Sequence, residues 1–426
     1  MKVQKILKRL LQLHPKSVDL SLNRIKRLLN DLKNPEKKIS NAIQVVGTNG
    51  KYSFCTTLRE IFETAGYSVN LNISPSLRKF NERYYFSGNH ISDERLYELL
   101  IEVEKVNNEK SITFHEFICA CFFLEASRNK ADINILESGL FFRLDASNVL
   151  SKNIASVIMP IGIDHKDFLK NGTLDEIVYE KCSSLLKDSL IIASKQKSNI
   201  LNMIKKEISN NSSKKIFFDK NYSYKINADG FKYKDSFGEI ELPLPNLLGD
   251  FQISNVSTAI VTARHLNKFK INQDHIIKAI TKIRSEGRLQ TITKGKLKKF
   301  VSINNRIIID GAHNPLAAFE IKKYLKTLTP KKKIVMILGM MANKEHKSFI
   351  NILKDNIHSM VALDIPNQLN FMPKEKLVKI GKSCGVPSKT DVSIKSALQN
   401  ISKTNDNAII FCTGSLYFAG EILNLN

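Results

Sequence analysis

The sequence predicts an α/β protein of two domains: an N-terminal parallel-sheet domain with a small antiparallel insert, then a smaller C-terminal Rossmann-like α/β domain. Three observations lead there. The 426 residues exceed the size at which a single hydrophobic core keeps growing. Short apolar runs alternate with amphipathic stretches, the pattern of a parallel sheet covered on both faces. That alternation starts afresh after residue 286, which sets the expected domains at 1–286 and 287–426.

Along the chain, Val3, Ile6, Leu7, Leu10 and Leu11 recur at helical spacing, so the basic N-terminus reads as an amphipathic helix and not as a signal peptide. A second amphipathic stretch covers 21–33. The run 42–46 is a short strand entering a glycine-bearing turn and a helix over 54–65. Apolar runs at 133–138, 154–162 and 190–194 supply further strands. Residues 216–245 alternate and contain Asp229-Gly230, which marks the antiparallel insert. Runs at 306–310, 334–339, 359–364 and 408–414 build the second sheet.

Composition narrows the function. With 42% hydrophobic and 25% charged residues the chain is an ordinary globular protein. No apolar run approaches the roughly 18 residues that span a bilayer, so no membrane association is expected. Six cysteines are too few for a disulfide scaffold and fit buried thiols in the cytoplasm. The 65 basic against 41 acidic residues give +24, yet the excess is lysine scattered along the chain. Without a basic block or a recognisable module, no nucleic-acid partner is expected. An anionic small-molecule substrate fits the charge equally well.

The strongest local signal runs from Val45 to Ser53. A strand ending in Gly47-Thr48-Asn49-Gly50 at a helix N-terminus presents backbone N–H groups to a phosphate. Lys51 adds a positive charge and Ser53 a hydroxyl. The strict phosphate-loop pattern is not met, because Val45 stands at its first glycine and Tyr52 follows the lysine. Alone, the segment reads equally as a nucleotide site or a tight strand-to-helix turn. Glu137 ends an apolar strand, where an unpaired carboxylate is costly. Asp310 ends another, facing a turn in which Asn314 and Pro315 suit a helix cap and first helical position.

Set beside ordered blocks along nearly the whole chain, these residues resemble the folylpolyglutamate synthases and dihydrofolate synthases of the Mur-ligase superfamily. "GTNGKYS" is similar to that family's "GTNGKGS" loop, and "SPSLRKFNERYYFSGNHIS" to its "SPHLxxFNERIxxxGxxIS". "TFHEFICACFFL", "LESGLFFRLDASNVL", "IGIDHKDFL", "YEKCSSLLK", "GDFQISNVSTAI", "GRLQTI", "DGAHNP" and "TGSLYFAGEIL" follow in the family's order.

The resemblance implies a phosphate-loop-type ATPase domain and ATP-dependent ligation of L-glutamate to dihydropteroate or tetrahydrofolate through an acyl phosphate, by a cytoplasmic monomer. It carries Gly47, Thr48, Asn49, Gly50, Lys51, Tyr52, Ser53, Asn255, Arg288 and Asp310 over to ATP. Ser74, Glu137 and His165 correspond to magnesium positions, with two ions implied. Lys181 corresponds to a lysine carbamylated by carbon dioxide, and Lys51, Lys181 and His313 are the expected catalytic residues. The pterin is expected at Val18, Asp19, Leu20, Phe114, Glu116, Phe117, Leu144, Asp145 and Ala146. Tyr52 replaces a glycine, Ser76 a histidine, Cys182-Ser183 an Ala-Gly pair, and Phe141-Phe142 a glycine pair, whose rings are expected to stack on the pterin or narrow its pocket.

Three other readings compete. A peptidoglycan Mur ligase carries a UDP-sugar domain before its phosphate loop, whereas the chain before Lys51 has room for two helices and one strand. A different amide ligase of the superfamily, or a non-catalytic nucleotide-binding protein, keeps the loop without this reaction.

Overall fold

The strand Ala42–Val46 (β1) is buried at every residue, as a strand covered on both faces must be. It stands in an eight-stranded sheet with Val69–Asn72 (β2), Tyr84–Phe86 (β3), Asn89–His90 (β4), Ile133–Glu137 (β5), Ala155–Ile158 (β6), Leu190–Ala193 (β7) and Lys214–Phe217 (β8). The strand order is β4-β3-β2-β5-β1-β6-β7-β8. All pairings from β2 to β8 are parallel, while β3 and β4 add an antiparallel edge. The computed structural model describes residues 2–14, 19–328 and 332–426. They divide into two units, Met1–Asn246 with Ser254–Ile283, and Leu247–Ile253 with Arg284–Asn426.

The helices are α1 (Lys2–Leu13), α2 (Asn23–Asp31), α3 (Lys51–Thr64), α4 (Asp93–Asn107), α5 (Phe114–Arg128), α6 (Leu174–Cys182), α7 (Ser198–Glu207), α8 (Asp250–His265) and α9 (Gln273–Lys282). The apolar stripe expected of α1 buries Val3, Ile6 and Leu10 in a cluster with Leu28, Leu99 and Phe122. Because β1 has β5 on one side and β6 on the other, its carboxyl end is a topological switch point, where α/β sheets bind ligands.

Two expectations are corrected here. Phe141 and Phe142 are fully buried against Val46, Ile158 and Ile177, so their rings fill the core and do not stack on a ligand. Burying large apolar area beneath the sheet outweighs exposing it in a pocket. The antiparallel insert begins later than 216, because Ile216 and Phe217 are buried in β8, parallel to β7.

The insert is a three-stranded sheet, ordered β11-β10-β9, of Ser223–Ile226 (β9), Gly230–Asp235 (β10) and Gly238–Pro243 (β11). Its anchor is Asp235, whose side chain is wholly buried. Its Oδ2 accepts from Arg264 Nε of α8 at 2.8 Å and from the Tyr233 hydroxyl at 3.0 Å, and its Oδ1 from the Phe237 amide at 2.8 Å.

In the second unit the strands are Gln290–Ile292 (β12), Arg306–Ile309 (β13), Ile334–Leu338 (β14), Ser359–Ala362 (β15), Ser388–Thr390 (β16) and Ile409–Thr413 (β17), ordered β12-β13-β17-β14-β15-β16. Only β12 is antiparallel to its neighbour. Helices Pro315–Leu328 (α10), His346–Leu353 (α11), Lys374–Ser383 (α12), Ile394–Thr404 (α13) and Leu416–Asn424 (α14) complete it, and Ile308, Met336, Phe349 and Phe411 lie in its core. Among the described residues no helix is long and apolar enough to cross a membrane.

Removing one partner of a buried ion pair strands the other charge, at about 3–5 kcal/mol. Asp235→Ala should therefore lower unfolding free energy by about that much in chemical denaturation, through the stranded Arg264 guanidinium.

Candidate functional site

The site begins where β1 stops. Gly47 has φ +148°, and a side chain there would bring its Cβ within 2.7 Å of Met159 Cβ. Gly50, with φ +82°, starts α3, and its Cβ would lie 2.5 Å from Asn255 Oδ1. Both positions need glycine for the approach as much as for the backbone angle. Between them the Thr48 and Asn49 amides donate to Pro160 O at 2.9 and 3.2 Å. The Thr48 hydroxyl donates to Gly162 O and accepts from Gly162 N, each at 3.1 Å. The loop is thus held along one side by the segment after β6. Phe54 N donates to Gly50 O at 2.9 Å, and Lys51, Tyr52 and Ser53 form the first turn of α3, where peptide dipoles favour an anion.

Two lysines converge on one carbonyl. Lys51 Nζ donates to Gly47 O at 3.1 Å and lies 3.9 Å from Glu137 Oε1 at the end of β5. Lys181, from α6, donates to the same Gly47 O at 3.0 Å and to Leu140 O at 2.8 Å, with its ammonium 5.4 Å from the Phe141 ring. Lys181 is 3% exposed. Burial first, and the charge of Lys51 second, pull its pKa from 10.5 down to about 7.

Glu137 is buried, and its Oε2 accepts from the Ser74 amide at 3.1 Å. Arg83, which sequence reasoning missed, donates to the Ser74 hydroxyl at 3.2 Å. Ser74 and Glu137 are therefore brought together. His165 adopts a left-handed backbone, φ +56°, with its amide 2.9 Å from Asp164 Oδ1 and its Nε2 3.9 Å from Asp164 Oδ2. A buried carboxylate beside a hydroxyl suits magnesium, which prefers oxygen ligands. Among the described residues no three His, Cys, Asp or Glu side chains form a metal cage. The donor set fits an ion that keeps water and phosphate ligands.

Of the residues expected around the pterin, Val18 lies outside the described residues. Asp19 Oδ2 accepts from Arg24 Nη1 at 3.0 Å, and Arg24 Nε donates to Glu116 Oε2 at 2.9 Å. Glu116 Oε2 also accepts from the Thr113 amide at 2.7 Å, closing the capping box that starts α5. Phe117 is wholly buried and stacks on His14, Ala146 is core, and Phe114 and Leu20 are half-buried. Leu144 is half-buried beside Asp145. Asp145 is buried, and its Oδ1 accepts from the Ser147 amide and hydroxyl at 2.9 and 2.6 Å. Its Oδ2 accepts from the Gly139 amide at 3.0 Å and faces His115 Nε2 at 3.5 Å. Burial opposes the Asp145 anion, but His115 and Ser147 hold its carboxyl below the usual range. Arg24 was absent from the sequence reading, and His115 lies unnamed inside the 114–117 stretch expected at the pterin. Their positions in the first turns of α2 and α5 were the only signal.

In the second unit Asp310 follows β13. Its Oδ2 accepts from Leu289 N and its Oδ1 from Ala312 N, both at 2.8 Å. Burial pushes its carboxyl up, with Arg288 opposing. Arg288 Nη1 donates to Gly287 O at 3.1 Å, and His313 Nδ1 lies 2.9 Å from Gly311 O. Asn314 Oδ1 accepts from Ala317 N at 2.9 Å, capping α10 ahead of Pro315.

The Mur ligase middle domain matches residues 45–263 and the Mur ligase glutamate ligase domain residues 287–416. The dihydrofolate synthase/folylpolyglutamate synthase of Buchnera aphidicola is 30% identical over 407 residues, covering 91% of this chain and 90% of that protein. E. coli FolC in complex with DHPP and ADP superposes with a TM-score of 0.88 at 23% identity, covering 99% of this chain and 97% of that one. The bifunctional enzyme of Yersinia pestis, complexed with AMPPNP and a Mn ion, gives 0.86 at 21% identity with the same coverage. At these identities the two structures demonstrate a common fold.

The lysine pair makes a linkage prediction. Between about pH 7 and 10.5 the unfolded chain protonates Lys181 and the folded chain does not, so folding stability rises with pH across that window. In carbon-dioxide-free buffer, Lys181→Met should remove this slope from denaturation measured at each pH.

Proposed function

The chain belongs to the Mur ligase family, among the folylpolyglutamate and dihydrofolate synthases, and from that premise we infer how its residues perform the reaction. The enzyme ligates L-glutamate to a pterin carboxylate at the expense of ATP, in folate metabolism. The acid's carboxylate oxygen attacks the γ-phosphorus and displaces ADP, giving an acyl phosphate. The amine of glutamate then attacks the acyl carbon. The tetrahedral intermediate loses a proton and expels phosphate, leaving the amide.

The first step brings one anion against another, and it sets the demand for positive charge. We assign that demand to the first turn of α3 and to Lys51, which hold the phosphates, with Gly47, Thr48, Asn49, Gly50, Tyr52 and Ser53 forming the cradle. A divalent cation held by Ser74, Glu137 and His165, with the nucleotide phosphates, would supply further neutralisation. Asn255, Arg288 and Asp310 are assigned to the nucleotide and His313 to the acyl phosphate or glutamate. The observation that carries this reading is the convergence of Lys51 and Lys181 on the Gly47 carbonyl beside Glu137.

Lys181 is assigned as the carbamylated residue. Its neutral amine attacks carbon dioxide, a proton leaves, and a cation becomes an anionic two-oxygen group suited to a second magnesium ion. A pKa of about 7 supplies the neutral amine that this addition requires. Both dihydropteroate and tetrahydrofolate are proposed as acceptors. The relative's dual name supports that, as does Asp145, a carboxylate of the kind that would orient a pterin.

Mass spectrometry of products formed with ATP, magnesium, glutamate and each pterin acid separately tests the function. A mass increase of one glutamyl residue is expected with each acid, and none without ATP. Lys51→Ala should lower that rate by about 10³-fold while leaving the fold intact. Near-normal turnover in the variant would remove Lys51 from phosphoryl transfer.

A further inference from the structure

The first unit carries a cleft away from the phosphate loop. The end of α8, the start of α9, the loop joining them and the β10–β11 turn of the insert border an open space of about 480 Å³, within the range of about 300–1,000 Å³ usual for small-molecule sites. Phe269 on its wall packs edge-on against Phe62, in the last turn of α3, with ring centroids 5.3 Å apart. That is roughly 16 Å along the helix from Lys51. Phe237, Arg264, Asn267, Lys270 and His275 also line the cleft, and among the described residues no acidic one does. The aromatic wall is fixed in advance. The Phe237 amide donates to the buried Asp235, and its ring meets His265 at 4.9 Å and the Arg264 guanidinium at 5.4 Å, yet Phe237 stays 55% exposed. Arg264 gives Nε and Nη2 to Asp235. His275 Nδ1 accepts from the Asn272 amide at 3.4 Å, which places the proton of the neutral ring on Nε2. Among the described interactions, Arg264 Nη1, the Lys270 ammonium and His275 Nε2 are left without an acceptor.

We propose that this cleft is a binding site for a small planar monoanion, an aromatic carboxylate, whose ring lies on Phe237 and whose carboxylate takes hydrogen bonds from Lys270, His275 and Arg264. The ring is called for because an exposed phenyl group beside a guanidinium offers faces on which planar groups stack. A single negative charge is called for because little net positive charge remains. Of the two permanent cations on the wall, Arg264 is paired with Asp235, and only Lys270 has no carboxylate partner among the described interactions. The exposed Asp274, in the first turn of α9, further disfavours a phosphate dianion. Because Asp235 already holds both Arg264 and the Phe237 backbone, the wall needs little reordering on binding. Nothing in this cleft depends on the assignments made at the phosphate loop.

The chain contains no tryptophan, so Phe237→Trp places a single fluorescent reporter on the wall of the cleft in the full-length protein. With benzoate as the probe, its emission should change saturably, with half-saturation at about 1 mM. Cyclohexanecarboxylate, equally charged but not planar, and inorganic phosphate should each bind about tenfold more weakly. Adding Lys270→Gln, at an exposed position, should weaken benzoate about fivefold. Saturating ATP and magnesium should leave the benzoate titration unchanged, which separates this cleft from the phosphate loop. Saturation-transfer NMR of benzoate on the protein without the reporter, compared with Lys270→Gln alone, covers the case in which the tryptophan variant does not fold, and the same fivefold loss is expected there. Equal binding of phosphate and benzoate, an emission unresponsive to benzoate up to about 20 mM, or an affinity indifferent to Lys270→Gln overturns the proposal.

Discussion

Two lysine side chains donate to one peptide oxygen, Gly47 O, inside the protein. Two full positive charges at that spacing repel strongly in a medium of low polarity. The structure relieves this in two ways. Glu137 stands 3.9 Å from Lys51 and partly offsets its charge. Lys181, the more buried of the pair, gives up its proton near neutrality. Lys51 stands beside the Glu137 carboxylate, and on the proposed reading Lys181 offers its neutral amine to carbon dioxide. Two identical side chains on a single carbonyl thereby sit in different electrostatic settings, set first by burial.

That arrangement depends on the course of the backbone around it. Gly47 points its carbonyl at both lysines because it follows β1 with a φ open mainly to glycine, pressed against Met159. β1 in turn is fixed by parallel pairing with β5, opposite Glu137, and with β6, which leads into the Pro160 carbonyl that receives the loop amides. Three strand ends therefore deliver the cradle, the carboxylate and the brace to one place. Phe141 and Phe142 fill the space below. The second unit repeats the device on a smaller scale, with Asp310 at the end of β13 bridging two backbone amides so that the turn before α10 is held by one carboxylate.

Much of this was legible in the sequence, and what was not has physical reasons. The strand before the loop, the runs of both sheets and the cap at Asn314 carry local signals that tertiary packing did not overrule. β2 was missed because Asn70 and Asn72 interrupt it. Both are buried, and the Asn70 amide finds Asn129 O and Asn134 Oδ1, satisfaction that only the fold can supply. Ile216 and Phe217 read as the start of the insert because an apolar pair is too short to distinguish a buried parallel strand from a hairpin. Residues 247–253 cluster with the second unit although they precede the rest of it by thirty residues, and no local pattern encodes such a return. The lysine pair was named from two distant motifs, but their common carbonyl was invisible. The approach of His115 to Asp145 was hidden for the same reason, since the two are thirty residues apart in sequence.

The central claim is that Lys181 holds a neutral amine beside Lys51 and takes up carbon dioxide. The most direct measurement is 13C NMR of the protein equilibrated with 13C-bicarbonate near pH 8. The account predicts one protein-bound carbamate resonance that disappears in Lys181→Met. A spectrum without a bound carbamate in the wild-type protein, or one unchanged by that substitution, would contradict it.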